Sequence, residues 1–277
     1  MRDIDEAVVL VTGATDGLGR RVARDLAARG ATVLVHGRDA GRAETAMREI
    51  REGTGNDDLR SHLADLSSLD EVRGLAEEVL SEHSRLDVLV NNAGIGPGER
   101  SKRAVSRDGH ELRFAVNYLA HFLLTRMLLP LLRRSAPARI VNVSSGAQTR
   151  IDFDDVMLER RYEGMRAYGQ SKLAQVMDTF DLAEELAGTG VTVNCLHPAS
   201  LMNTKMVSVP MRGVQAGADA TVRLVADPAL AEVTGRYFSG KTEARADAQA
   251  YDRGARAALR RLSEALTGLG DGRDPAP

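Results

Sequence analysis

Ala7-Val8-Val9-Leu10-Val11-Thr12-Gly13-Ala14-Thr15-Asp16-Gly17-Leu18-Gly19 is the stretch on which the fold turns. Ala7 to Thr12 is apolar, rich in β-branched residues and without alternation, which suits a strand buried on both faces. Leu18 to Arg29 then repeats apolar residues at Val22 and Leu26, a helical spacing. The glycines between them each have a task. Gly13 permits the tight turn, Gly17 lets the backbone approach a pyrophosphate, and Gly19 allows close packing of the helix. The first N–H groups of that helix, with its positive dipole end, are left for phosphates.

The rhythm continues outward. Ala31–Val35, Leu59–Ala64, Leu86–Val90, Ile140–Val143 and Val191–Leu196 are further apolar runs. Helical patterns lie at Ala40–Arg51, Leu69–Glu82, Arg107–Arg134, Arg166–Ala187 and Met211–Ala226, with an Ala/Arg-rich helix over Asp247–Leu266. Repeated β–α alternation predicts an α/β fold, a doubly wound parallel sheet of about seven strands with helices on both faces. No linker divides the chain, so residues 1–267 read as one domain and 268–277 as a disordered tail. Ile151–Gly164, acidic and aromatic, interrupts the rhythm as an insertion.

Composition removes several function classes. Among 277 residues, 37 Lys plus Arg against 39 Asp plus Glu leave a net charge of −2, which argues against a nucleic-acid or acidic-membrane binder. A hydrophobic content of 43% excludes a largely disordered chain. A single cysteine, Cys195, allows neither an internal disulfide framework nor a Cys-based zinc site. The start is acidic, unlike a signal peptide. Tyr118–Leu132, broken by His121, Arg126 and Pro130, reads as too short and too polar to cross a bilayer. A cytoplasmic protein is expected. None of the six histidines pairs with the spacing of a metal site, so no metal is expected.

Tyr168-Gly169-Gln170-Ser171-Lys172 is the sharpest chemical signal. Residues four apart share a helix face, so Tyr168 and Lys172 point together. A nearby ammonium favours phenolate and lowers a tyrosine's pKa, which would let Tyr168 exchange a proton with a substrate oxygen. Ser144-Ser145 end the fifth strand, where serine also serves as a turn cap. Asn117 is polar among Phe114, Val116 and Leu119, and costly there unless hydrogen-bonded.

With T-G-x-x-x-G-x-G at residues 12–19, Asn91-Asn92-Ala93-Gly94 after the fourth strand and Tyr168-x-x-x-Lys172 in order, the chain resembles the short-chain dehydrogenase/reductase family from Ala7 to about Leu266. The resemblance implies a Rossmann-type fold and hydride transfer between a nicotinamide and a carbonyl or alcohol carbon. It implies a catalytic tetrad of Asn117, Ser145, Tyr168 and Lys172, with Ser144 as the alternative serine. Asn117 would kink its helix and hold a water linked to the lysine. It further implies cofactor contacts at Gly13, Thr15, Asp16, Gly17, Leu18, Gly19, Asp65, Leu66, Asn92, Ala93, Gly94, Tyr168, Lys172, Pro198 and Thr204.

The second strand ends at His36-Gly37-Arg38-Asp39. No acid stands at His36 or Gly37 to repel a 2′-phosphate, and the Arg38 guanidinium suits one, so NADP(H) is preferred over NAD(H). Asp39 reads as the N-cap of the next helix.

Ser145 to Tyr168 spans 23 residues, about ten more than in shorter family members. With Ser171, this makes the chain similar to the retinol-dehydrogenase-like branch. Thr149–Arg161 is the insertion, and a modified site entrance is expected from it. That similarity points to a lipophilic alcohol or aldehyde. A ketoreductase of secondary metabolism and a catalytically silent dinucleotide sensor are the alternatives. Family members are commonly dimers or tetramers through two long helices. Ser200–Gly213, with Met202, Met206, Val207, Val209 and Met211, reads either as a lid or as core packing. Arg260-Arg261 reads as a solvated face.

Overall fold

The computed structural model describes residues 3–99, 101–199 and 213–269. Strands β1 (Val8–Val11), β2 (Thr32–Gly37), β3 (Leu59–Leu63), β4 (Val88–Asn91), β5 (Ala138–Val143), β6 (Val191–His197), β7 (Arg236–Ser239) and β8 (Thr242–Glu243) form one sheet in the order β3-β2-β1-β4-β5-β6-β7-β8. All neighbours are parallel except the final pair, β7 and β8. Helices α1 (Gly17–Ala27), α2 (Ala40–Thr54) and α6 (Gln215–Ala226) pack on one face around Val22, Ile50 and Ala218. On the other face lie α3 (Leu69–Glu82), α4 (Leu112–Arg134), α5 (Gly164–Glu185) and α7 (Arg253–Thr267), around Val72, Leu123 and Val176. The expected α/β architecture is the one observed. The six apolar runs each became a strand; five are covered on both faces, while β3, at the sheet edge, is buried only at Leu59 and His62.

The sheet's winding reverses between β1 and β4, and one hydroxyl joins them. Thr12 Oγ1 accepts hydrogen bonds from Asn92 N and Ala93 N, both at 2.9 Å. Asn92 Nδ2 in turn donates to Thr12 O at 2.8 Å. This holds the glycine turn and the Asn-Asn-Ala-Gly turn together at the carboxyl ends of the strands, where α/β sheets open a crevice.

Several expectations need correction. The edge pair β7–β8 went unread, because four residues with exposed ends carry no apolar run. The helix expected from Arg107 begins at Leu112, where the Glu111 side chain caps it by accepting from Phe114 N at 2.8 Å. At 23 residues, α4 is long and apolar enough to span a bilayer, contrary to the reading of Tyr118–Leu132. However, 89% of its most apolar window is buried inside the protein, as in a core helix. The insertion does not sit at the site entrance: Ile151, Val156 and Leu158 are buried in the fold, and none of residues 149–161 lines the cleft. Two residues of the expected tail, Gly268 and Leu269, are placed in the structure. Gly268 ends α7 in the left-handed conformation at φ 68°, and Leu269 packs on the core. Arg260 is no solvated residue, since it pairs with Asp181 at 2.6 Å and Glu185 at 3.2 Å. These contacts seat α7 on α5, and the buried Tyr118–Ser263 hydrogen bond at 2.7 Å adds α4. The two long helices that family oligomers commonly use are thus partly covered by the chain itself. Residues 200–212, including the expected lid and Thr204, and residues 270–277 lie outside the described residues.

Replacing Thr12 by Val keeps the shape but strands two backbone donors at the joint. Urea unfolding should show a loss of about 2 kcal/mol. Unchanged stability would contradict the role given to this hydroxyl.

Candidate active site

A cleft of about 1040 Å³ runs along the carboxyl ends of the strands. Its lining includes Gly13, Thr15, Asp16, Gly17, Leu18 and Gly19 from the first turn, and Arg38, Asp65 and Leu66 from the second and third. Asn92, Ala93, Gly94, Ser145, Tyr168, Lys172 and Pro198 complete the set that the sequence pointed to. Asn117 is fully buried just behind it. Of the expected residues only Thr204 is outside the described part.

The glycine turn is a cradle with no room for side chains. Gly13 and Gly17 have φ of 66° and 52°, in the left-handed region. A Cβ on Gly19 would lie 2.3 Å from Gly13 O and 2.4 Å from Asn92 Nδ2. Asp16 caps α1, accepting from Gly17 N at 2.8 Å. Backbone donors at a helix start, with open space in front of them, fit a pyrophosphate. Such a cradle suits a nicotinamide dinucleotide.

His36 binds the three turns to one another, a role the sequence reading missed. Its Nδ1 accepts from Gly13 N at 3.1 Å, so the ring proton sits on Nε2, 3.2 Å from Ala64 O. Burial pushes its pKa down to about 4, so the ring is neutral. Arg38 follows in the cleft. Arg42, also overlooked, joins it there and pairs with Asp16 at 2.9 Å. Asp39 caps α2 as expected, accepting from Arg42 N at 2.8 Å. Burial raises the pKa of Asp65, but hydrogen bonds from the Ser67 backbone and hydroxyl and the charges of Arg38 and Arg107 outweigh it. The carboxyl is held below its ordinary value.

At the other end, α5 brings Tyr168 and Lys172 to the cleft one turn apart. The two serines of β5 are distinguished by their partners. Ser144 Oγ donates to Lys172 O at 2.8 Å and is committed to the helix backbone. Ser145, by contrast, lines the cleft beside Tyr168, and its Oγ accepts from Ala147 N at 3.1 Å. The Ser145 carbonyl accepts from Tyr237 Oη at 3.1 Å and Gln148 Nε2 at 3.0 Å, which fixes the turn. Tyr237 belongs to β7, the strand that the sequence did not reveal. Gly169 is required beside Tyr168: a Cβ there would meet Thr149 Oγ1 at 2.2 Å, where the insertion crosses the helix.

Lys172 is buried. Its Nζ donates to Val143 O at 3.0 Å and Gln175 Oε1 at 2.9 Å. Burial lowers its pKa to about 7. Tyr168 departs from expectation. Burial raises its pKa, only partly offset by the neighbouring Ser145 side chain, and Lys172 Nζ stands 5.9 Å from the ring centroid. Desolvation sets the direction here, and the lysine is engaged with Val143 O and Gln175 Oε1.

Asn117 lies in a π-helical turn, Ala115–Leu119, inside α4. Its Oδ1 accepts from Ile95 N at 2.7 Å, and its Nδ2 donates to Ile95 O at 3.1 Å and Ser171 Oγ at 2.9 Å. The side chain thus fastens the Asn-Asn-Ala-Gly loop to α5, where the sequence reading had placed a helix kink and a water. The helix widens there into the π-helical turn. Gln175, missed in the sequence, links Lys172 to His121, whose Nδ1 lies 3.3 Å from Gln175 Nε2. His121 Nε2 is 3.3 Å from Thr12 Oγ1. Burial first, then the charge of Lys172, pushes the His121 pKa down to about 3. Cys195 is a core residue, its thiol pushed up to about 12 by burial.

Comparison with known proteins agrees with this arrangement. A family model described as short chain dehydrogenase matches residues 7–212. Retinol dehydrogenase 13 of Mus musculus is 38% identical over 282 residues, covering 94% of this chain and 84% of the mouse protein. A 3-ketoacyl-(acyl-carrier-protein) reductase from Brucella melitensis, solved with NADH, superposes with a TM-score of 0.69 at 27% identity, over 87% of this chain and 100% of that one. The RhlG–NADP active-site complex from Pseudomonas aeruginosa superposes with a TM-score of 0.69 at 28% identity, over 86% and 97%.

His36 and His121 are neutral and buried, with pKa values below that of an unfolded histidine. The unfolded chain therefore takes up more protons between pH 6.5 and about 4, and stability falls as pH falls through that window. Urea midpoints measured across it should drop, and the slope should be shallower in His121→Gln. Identical slopes would contradict the assignment.

Proposed function

The chain belongs to the short-chain dehydrogenase family, an oxidoreductase acting on CH–OH donors with a nicotinamide cofactor, and from that premise we propose an NADP(H)-dependent enzyme that interconverts a lipophilic carbonyl compound and its alcohol. One observation carries the reading: Ser145, Tyr168 and Lys172 line the same cleft as the glycine cradle.

The residues divide the work. Gly13, Gly17, Gly19 and the start of α1 hold the pyrophosphate, and Asp65 the adenine. Arg38, with Arg42 beside it, meets a 2′-phosphate by charge-assisted hydrogen bonds. When bound, the nicotinamide supplies or accepts the hydride at C4. Ser145 donates a hydrogen bond to the substrate oxygen and orients it. Tyr168 gives its proton to that oxygen in reduction and takes it back in oxidation. The raised pKa keeps its proton in place at neutral pH, ready for donation. Lys172 spends two N–H groups on Val143 O and Gln175 Oε1 and has capacity left for a ribose hydroxyl.

The substrate class follows from the rest of the lining. Ile95, Val105, Leu112, Val116 and Met165 present apolar surface in the same cleft. Val105 and Met165 are about half exposed, at 49% and 51%, apolar side chains left open to a ligand. The name of the mouse relative supports the same reading, because retinol is an alcohol on a long apolar chain.

Purified protein should consume NADPH with long-chain or polyene aldehydes faster than with small polar carbonyls. Tyr168→Phe should lower kcat by about 10²- to 10⁴-fold while NADPH still binds. A Phe variant near full activity would overturn the mechanism. Arg38→Leu should weaken NADPH about tenfold to hundredfold and leave NADH unchanged. Equal losses for both would remove the 2′-phosphate role.

A further inference from the structure

We propose that His62, His83 and Glu82 form a binding site for one divalent transition ion of the zinc class, outside the catalytic cleft. The three come from different places. His62 lies on β3, the outermost strand of the sheet, with its ring fully buried. Glu82 is the last residue of α3, and His83 is its C-cap. None of the three lines the cleft.

The two imidazoles meet nitrogen to nitrogen. His62 Nε2 and His83 Nε2 are 3.2 Å apart, with the rings inclined at 71°. Two nitrogens at zinc–nitrogen distances of about 2.0–2.1 Å on a tetrahedral ion lie about 3.3 Å apart. The observed spacing is therefore that of two ligands on one ion. One atom each from His62, His83 and Glu82 all fall within 4.8 Å of one another. Three protein ligands leave a fourth tetrahedral position for water.

The surroundings have the character of a ligand's support. His62 Nδ1 is buried without a hydrogen bond, and the Glu78 carboxylate stands 3.2 Å from it, off the hydrogen-bonding line. A carboxylate behind a ligand histidine holds its proton on the rear nitrogen and turns the front one toward the metal. Two imidazoles and one carboxylate select zinc, nickel or copper over magnesium or calcium. Among the described residues, Arg60 is a cation that weighs against the site. The sequence reading expected no metal because it sought histidines one helical turn apart. Here 21 residues separate them, and the sheet edge brings them together.

A bound ion would clamp the edge strand β3 to the end of α3. Zinc chloride titrated calorimetrically into tag-free, chelator-treated full-length protein should bind with one equivalent per chain, and magnesium chloride should not. Zinc should raise Tm. His83→Ala should abolish both effects and leave NADPH binding intact. Glu78→Gln should weaken zinc about 10- to 100-fold. If His83→Ala fails to fold, His83→Gln repeats the test with a similar volume. No saturable zinc uptake by the wild type would overturn the proposal and leave a histidine–histidine hydrogen bond. Uptake unchanged in the His83 variant would overturn it equally.

Discussion

Every functional feature of this chain hangs on the joint between the carboxyl ends of β1 and β4. The winding direction of the sheet reverses there, so the helices that follow the two strands part to opposite faces. The turns left between them cannot be closed by a helix. They are closed instead by hydrogen bonds centred on Thr12 Oγ1 and the Asn92 side chain. Because the joint is built from a short hydroxyl and an amide, the glycine turn can lie flat against it, and the pyrophosphate cradle is a by-product of that closeness. The 2.3–2.4 Å clearance around a Cβ at Gly19 measures how tight the packing is.

From this joint a chain of buried polar groups leads to the reactive end of the cleft. Thr12, His121, Gln175 and Lys172 are in succession, each within hydrogen-bonding reach of the next. Burial presses all the titratable members toward their neutral forms, His121 to about 3 and Lys172 to about 7. Tyr168 is pressed the same way, toward the protonated phenol. The cleft is thus set by desolvation more than by charge pairing. Rigid placement of the lysine is the task of Val143 O and Gln175. A buried polar chain of this kind costs little only while every member is satisfied. Asn117 meets the same condition by bonding both backbone groups of Ile95.

Much of this was legible in the sequence, and for definite reasons. β1, β2, β4, β5 and β6 are continuous apolar runs because both faces are covered, and the Tyr168–Lys172 pair shows its shared face through helical spacing. Local chemistry also reads well: Asp39 was placed as a cap from its position alone. What remained hidden depends on distant partners. The β7–β8 edge has no run of its own, yet Tyr237 from β7 steadies the Ser145 carbonyl. His36 reads as a residue that is not an acid, and only the fold shows it tying three turns together. The direction of the Tyr168 pKa depends on how much water the fold removes, which spacing cannot give. The His62–His83 contact arises across the sheet edge and leaves no local pattern. Ser144 and Ser145 were open alternatives, and only the fold shows that the Ser144 hydroxyl donates to the carbonyl of Lys172.

The most direct test follows the transferred atom. NADPH carrying deuterium at C4 of the nicotinamide would be incubated with the protein and a lipophilic aldehyde, and the alcohol analysed by mass spectrometry. The account predicts deuterium on the carbinol carbon of the product. A bound cofactor that yields no deuterated alcohol from any long-chain or polyene aldehyde would contradict it.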